Sequence, residues 1–389
     1  MTPLSPAVNS PSPLAAPSPG GALAFRGLWL FSPRADALIV ALPLALALCT
    51  AAANVWLAPG AAEGAHRLSA WTAQNLLGNA THVILTFLLF AVHRDVLTSA
   101  PGQPRQVLAG SLGMLAVGTV LFFTFYAERT AHTYGVAVIF NVFGTHHTLS
   151  QHRGIWSLHG LRAGKAGLPG ASALERKLQQ MYVPLLLTLL LVRIFFVPEA
   201  PGPDAPAYLD IGQGAVLPHG TLGVLLAVWL GYFMLLFRTV LRAEAVSGPK
   251  VLYLLAMATA TGLVLVAPTW GYVMLPGMHG LEYYMLTARM LEPREGDTPR
   301  LPRKFIVPAM IASMLPLLAL GAVHGLLQQG VVRGALGSNM GVAETHPLLR
   351  AMTSLGFAVV LAHYFADALI YRFRIPSIRA VMLKRLGFS

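Results

Sequence analysis

Long apolar runs alternate with short polar segments along most of this chain. A helix needs about 20 mostly apolar residues to cross a bilayer. Ten runs meet that description: 36–58, 71–92, 106–126, 133–149, 181–197, 220–241, 251–268, 269–290, 305–327 and 348–371. A bilayer offers no partner to backbone polar groups, so such runs must satisfy their own hydrogen bonds as helices. The pattern therefore predicts an all-α, polytopic integral membrane bundle of about ten transmembrane helices. Runs 133–149 and 269–290 carry polar residues inside them, and the seventh and eighth runs are separated only by Pro268 and Thr269.

The flanks read differently. Residues 1–24 hold no charged side chain and are rich in Pro, Ser, Ala and Gly. Residues 1–34 are thus expected as a disordered cytoplasmic tail, 35–372 as the membrane domain, and 373–389 as a basic cytoplasmic tail. No basic start followed by an early apolar core is present, so cleavage of a leader is not expected.

Composition sharpens the class. Of 389 residues, 55% are hydrophobic and 11% charged, against roughly 25% charged in soluble domains. A soluble core of this size cannot bury that excess. The net charge of +12 would suggest nucleic acid in a soluble protein. Here the Lys and Arg residues concentrate in alternate short loops, as membrane orientation requires, and no nucleic-acid partner is expected. Loop 150–180 holds Arg153, Arg162, Lys165, Arg176 and Lys177, and the C-terminal segment another five bases. Loop 198–219 holds Glu199, Asp204 and Asp210 with no base. Ten spans with both termini cytoplasmic satisfy the alternation, in a bacterial-type inner membrane. The one cysteine, Cys49, excludes internal disulfides and cysteine-based metal sites.

Thirteen histidines remain to be explained. This topology places His66, His132, His219, His324 and His346 toward the outer side, where they should be dispensable. His82, His93, His146, His147, His152, His159, His279 and His363 fall mid-membrane or toward the inner side, with Glu282 and Asp367 at similar depth. Ionisable groups within spans are expensive and mark functional sites by default. His147 and His152 lie about 140° apart on a straight helix, so they meet one centre only if the helix frays or bends there. His279 and Glu282 are three residues apart, and His363 and Asp367 four, so each pair shares a helix face. The candidate metal ligands are His82, His146, His147, His152, His279, Glu282, His363 and Asp367. His93 and His159 are weaker candidates, because interface and loop positions explain them.

Imidazole with carboxylate and no thiolate suits iron, zinc, copper or manganese. The spacing His147-x-x-x-x-His152 and the shared depth of the other histidines resemble the histidine-box membrane enzymes, the desaturase, hydroxylase and alkane-hydroxylase class. More loosely, the chain resembles bacterial carotene-cleaving membrane dioxygenases. The first resemblance implies one or two non-haem irons on the cytosolic side, O₂ chemistry and a lipid or other hydrophobic substrate, with an electron donor the sequence does not name. Two other readings stay open at this stage: a haem-binding electron-transfer protein, and a proton-coupled transporter.

Overall fold

The computed structural model describes residues 24–57, 82–99, 104–125, 131–199, 217–243, 245–294, 301–319, 347–371 and 375–388. These are helical almost throughout. One three-residue parallel pairing joins β1 (Ala24–Arg26) to β2 (Ala245–Ser247). It ties the stretch before the first helix to the connection between the seventh and eighth.

The helices are α1 (Pro33–Leu57), α2 (Leu85–Val92), α3 (Arg94–Ser99), α4 (Pro104–Phe125), α5 (Ala131–Lys165), α6 (Ala173–Phe196) and α7 (Thr221–Leu241). They continue with α8 (Gly248–Val266), α9 (Pro268–Leu291), α10 (306–319), α11 (Pro347–Ile370) and α12 (Pro376–Leu386). Among the described residues, six helices are long and apolar enough to cross a membrane: α1, α4, α6, α7, α8 and α11. Large apolar side chains such as Leu48, Leu112, Val120, Val224 and Met234 are exposed on them, as lipid-facing surfaces require.

Several elements differ from the sequence reading. The first half of the expected span 71–92 lies outside the described residues. Its second half is a short helical piece at His82 followed by α2, which ends at an extended His93. The expected loop 150–180 is largely helix. α5 runs unbroken for 35 residues, about 52 Å, so it does not fray between His147 and His152. α6 begins well before the expected Met181. Ser172 caps it by accepting from the Glu175 backbone N–H at 3.0 Å, the first half of a capping box. The segment expected as a basic tail contains α12, which buries Ile378, Met382 and Leu386 and packs on α3 and α9. Arg385 pairs there with Asp95 at 2.8 Å.

Two helices outside the six form the interior. α9 is buried at every residue from Val273 to Gly280, and it packs against α1, α2, α5 and α8. Its polar residues His279, Glu282 and Thr287, and Thr148, His152 and His159 of α5, lower the hydropathy of these helices but are buried in protein. α8 and α9 meet at a tight break. Pro268, which lacks an N–H, starts α9, and Arg193 of α6 reaches across to donate to the Leu265 carbonyl at 2.6 Å. A Cβ on Gly271 would lie 2.3 Å from the Val264 backbone nitrogen, so only glycine permits this approach. At the other side of the bundle α4 packs closely along α11, with Gly118 set against the Ala358 backbone.

Candidate metal centre

Four helical segments converge on one buried point. His82 comes from the helical piece before α2, His147 from α5, His279 from α9, and His363 and Asp367 from one face of α11. His82, His279 and His363 are fully buried and Asp367 nearly so. His147 keeps a 15% exposed side chain. The His82 ring centroid lies 4.7 Å from that of His279 and 5.0 Å from that of His363. The His147 ring is 4.9 Å from His279 and 5.2 Å from His363. Asp367 Oδ2 faces His363 Nε2 at 3.5 Å and His147 Nε2 at 3.8 Å. One ligand atom each from His82, His147 and His279 fall within 4.8 Å of one another, as do those of His147, His363 and Asp367. His147 belongs to both groups and joins them.

The donor atoms are left without other work. Among the described residues, His147 Nε2, both His279 ring nitrogens, His363 Nε2 and Asp367 Oδ2 are buried and have no hydrogen-bond partner. Buried polar atoms are almost always paired, and each orphan costs about 1–3 kcal/mol. A cation would take one donor atom from each of these residues, so the residues fit a metal ion.

Neighbours orient these donors. The Thr86 hydroxyl donates to Asp367 Oδ1 at 2.7 Å, and the Tyr283 hydroxyl donates to the same oxygen at 2.9 Å. Both bonds fall on Oδ1, which turns Oδ2 toward the imidazoles. Thr86 Oγ1 also lies 3.0 Å from His363 Nδ1. Its proton is committed to Asp367, so it accepts here, and Nδ1 of His363 carries the hydrogen. The lone pair of His363 then sits on Nε2, the atom facing the cluster. Orienting partners of this kind fix a ligand's tautomer and raise its basicity. The Tyr364 ring covers His147 at 4.6 Å. The sequence reading missed Thr86, Tyr283 and Tyr364. Helical spacing carries a signal for two of them, since Thr86 follows His82 by four residues and Tyr283 follows His279 by four.

The other expected ligands go elsewhere. His146 is exposed, because adjacent residues on an unbroken helix diverge by about 100°. His152, about 140° round α5 from His147, instead meets Glu282, with Nε2 3.6 Å from Oε1. Glu282 shares α9 with His279 but faces α5 and α8. Its Oε1 accepts the Tyr253 hydroxyl at 2.7 Å and its Oε2 accepts Gln151 Nε2 at 3.0 Å. Gln151 also donates to the His279 carbonyl at 2.9 Å, so it links the two polar groups. His159 is buried beside Tyr253, with ring centroids 5.3 Å apart. His93 is buried at the end of α2, where its N–H bonds to the Leu89 carbonyl. Of the outer histidines, His219 contacts the Pro198 carbonyl. His66, His324, His346 and the His132 side chain lie outside the described residues. So do Arg372 and Arg374, the bases that follow Asp367 most closely in the sequence.

No family model, no curated protein and no solved structure matches this chain.

Proposed function

We propose that this protein is a membrane-embedded, metal-dependent oxidoreductase of oxygenase, hydroxylase or desaturase type acting on a lipid-soluble substrate. The observation that carries the reading is the convergence of His82, His147, His279, His363 and Asp367 from four helical segments inside an apolar bundle. A thiolate-free imidazole and carboxylate set favours iron, with zinc or copper as the alternatives. A metal held there would supply a Lewis-acidic, redox-active centre for O₂ chemistry.

The chain's own groups do the rest. Thr86 and Tyr283 hold the Asp367 carboxylate in one orientation, and Thr86 holds the His363 tautomer. The surrounding apolar helices exclude water, which strengthens every electrostatic interaction inside. His147 is the least buried member of the set and has the Tyr364 ring against it, so a hydrophobic substrate reaches the centre from that side. Rings spaced 4.7–5.2 Å apart suit a compact ion better than a haem, whose macrocycle needs a wide planar slot. The membrane arrangement we propose has ten spans and both termini in the cytoplasm, in a bacterial-type inner membrane. A periplasm-only reporter fused after Ser389 should be silent.

Metal analysis of the purified protein with an optical spectrum tests the reading. Stoichiometric non-haem iron is the expected result. A Soret band would select haem, and carefully purified active protein without metal would favour a proton-coupled transporter. That transporter reading draws on the second buried polar group, His152 with Glu282.

A further inference from the structure

The His152–Glu282 group is built from three helices and has no role in holding the centre. Both carboxylate oxygens of Glu282 already accept hydrogen bonds, from Tyr253 and Gln151. Only one imidazole, His152, stands beside it. Two protein donors, one of them doubly occupied, make a poor second metal site. The same features suit proton transfer. A phenol, a carboxyl group and an imidazole lie in sequence, each able to give a proton to the next and take one back.

The group also leads somewhere. His152 and His159 are seven residues apart on the inner face of α5, about 10 Å along its axis. Both ring nitrogens of His152 and the Nδ1 of His159 are buried and lack a hydrogen-bond partner among the described residues. Tyr253 stands between them. Its hydroxyl bonds to Glu282, and its ring packs on His159. His159 and Tyr253 then border a cavity with Asp36 and Phe31, where α1 and α8 begin. That end of the bundle carries Arg34, Arg162, Lys165 and Lys250. At the inner end, Glu282 is one turn from His279 on α9, about 4.5 Å along the helix.

We propose that His159, Tyr253, Glu282 and His152 form a proton-transfer path between the basic end of the bundle and the metal centre. The proposal rests on the oxidoreductase reading, whose O₂ chemistry consumes protons in a site closed to bulk water. Glu282 passes a proton to His152, and the Tyr253 hydroxyl replaces it. Tyr253 recovers its own proton from water held at His159 Nδ1, since buried polar atoms of this kind are met by ordered water. His152 hands the added proton on to the O₂ chemistry at the centre, and bulk water at the basic end resupplies the water at His159, so each member ends with the protons it began with. These four act through proton movement and are not ligands of the metal.

The test is infrared spectroscopy of the full protein, using the carboxyl band that Glu282→Gln removes. Wild-type and variant proteins at acid pH are transferred from H₂O to D₂O, and the rate at which that band shifts is followed. Tyr253→Phe and His159→Leu should each slow the exchange by roughly tenfold or more, in line with removing a general acid–base group. Glu282→Asp should keep rapid exchange. Metal content should stay at the wild-type level in Glu282→Gln and Tyr253→Phe. Exchange at the wild-type rate in both Tyr253→Phe and His159→Leu would overturn the path. So would loss of metal from Glu282→Gln, which would make Glu282 a ligand. The exchange needs no bound metal, so a metal-free wild-type protein would sink the oxidoreductase reading without deciding the path.

Discussion

Thr86→Val is the most informative single change at the centre. Valine keeps the shape of threonine and drops the hydroxyl. Three contacts go with it: the bond to Asp367 Oδ1, the acceptor for His363 Nδ1, and the contact with the Tyr283 hydroxyl. A bond to a charged acceptor contributes about 1.5–3 kcal/mol, and a stranded buried N–H costs about 1–3 kcal/mol. These groups touch one another, so the losses do not add, and a total of about 2–4 kcal/mol of stability is expected. The effect on the metal is separable. His363 loses the partner that keeps its lone pair on Nε2, and Asp367 keeps only Tyr283 to hold Oδ1. Changes to such orienting groups lower metal affinity about 10- to 100-fold. Chelator competition on the purified protein measures the affinity, and denaturation in the same detergent measures the stability. Thr86→Ser should recover most of both. Wild-type affinity in Thr86→Val, with stability lowered as expected, would refute the reasoning, because Thr86 would then join helices without orienting ligands.

Other expectations follow from the same geometry. His147→Ala, His279→Ala and His363→Ala should each lower bound metal by an order of magnitude or more while leaving expression largely intact; His146→Ala and His219→Ala should leave metal content unchanged, as elemental analysis will show. Gly271→Ala should destabilise the protein by about 2–3 kcal/mol in a denaturation assay, because the new Cβ meets the Val264 backbone and one helix must shift. Glu175→Ala should cost about 3–5 kcal/mol, since it strands Lys250, paired at 2.5 Å, and the Trp156 indole N–H, bonded at 3.2 Å; restoring stability with Lys250→Met in the same chain would confirm that the stranded charge is the cause.

Much of the membrane framework is written locally. Apolar runs at 106–126, 220–241, 251–268 and 348–371 become α4, α7, α8 and α11 with ends within a few residues. A helix in an apolar medium satisfies its backbone internally, so length and hydropathy alone mark it. Pro268 announces the break between α8 and α9 for an equally local reason, its missing N–H. Where local signals compete, the sequence misleads. Residues 150–165 are polar and basic and read as a loop, yet they continue α5 because His152, Ile155, Trp156 and His159 find buried places on neighbouring helices.

The histidines divide in the same way. Their residue types and depth single out eight potential ligands, and His363 with Asp367 share a face by spacing alone. Which of the eight meet was decided by tertiary packing. The unbroken helix of α5 sends His147 to one side, His152 to another and His146 outward. The rotation of α9 turns His279 toward His82 and His147 and Glu282 toward His152 and Tyr253. Thr86, distant in sequence from both His363 and Asp367, became the hinge of the centre only because α2 lies against α9 and α11. Helical periodicity relates residues on one helix, whereas a site assembled from four segments depends on how those helices are rotated and stacked, which is set by the shapes of their buried faces.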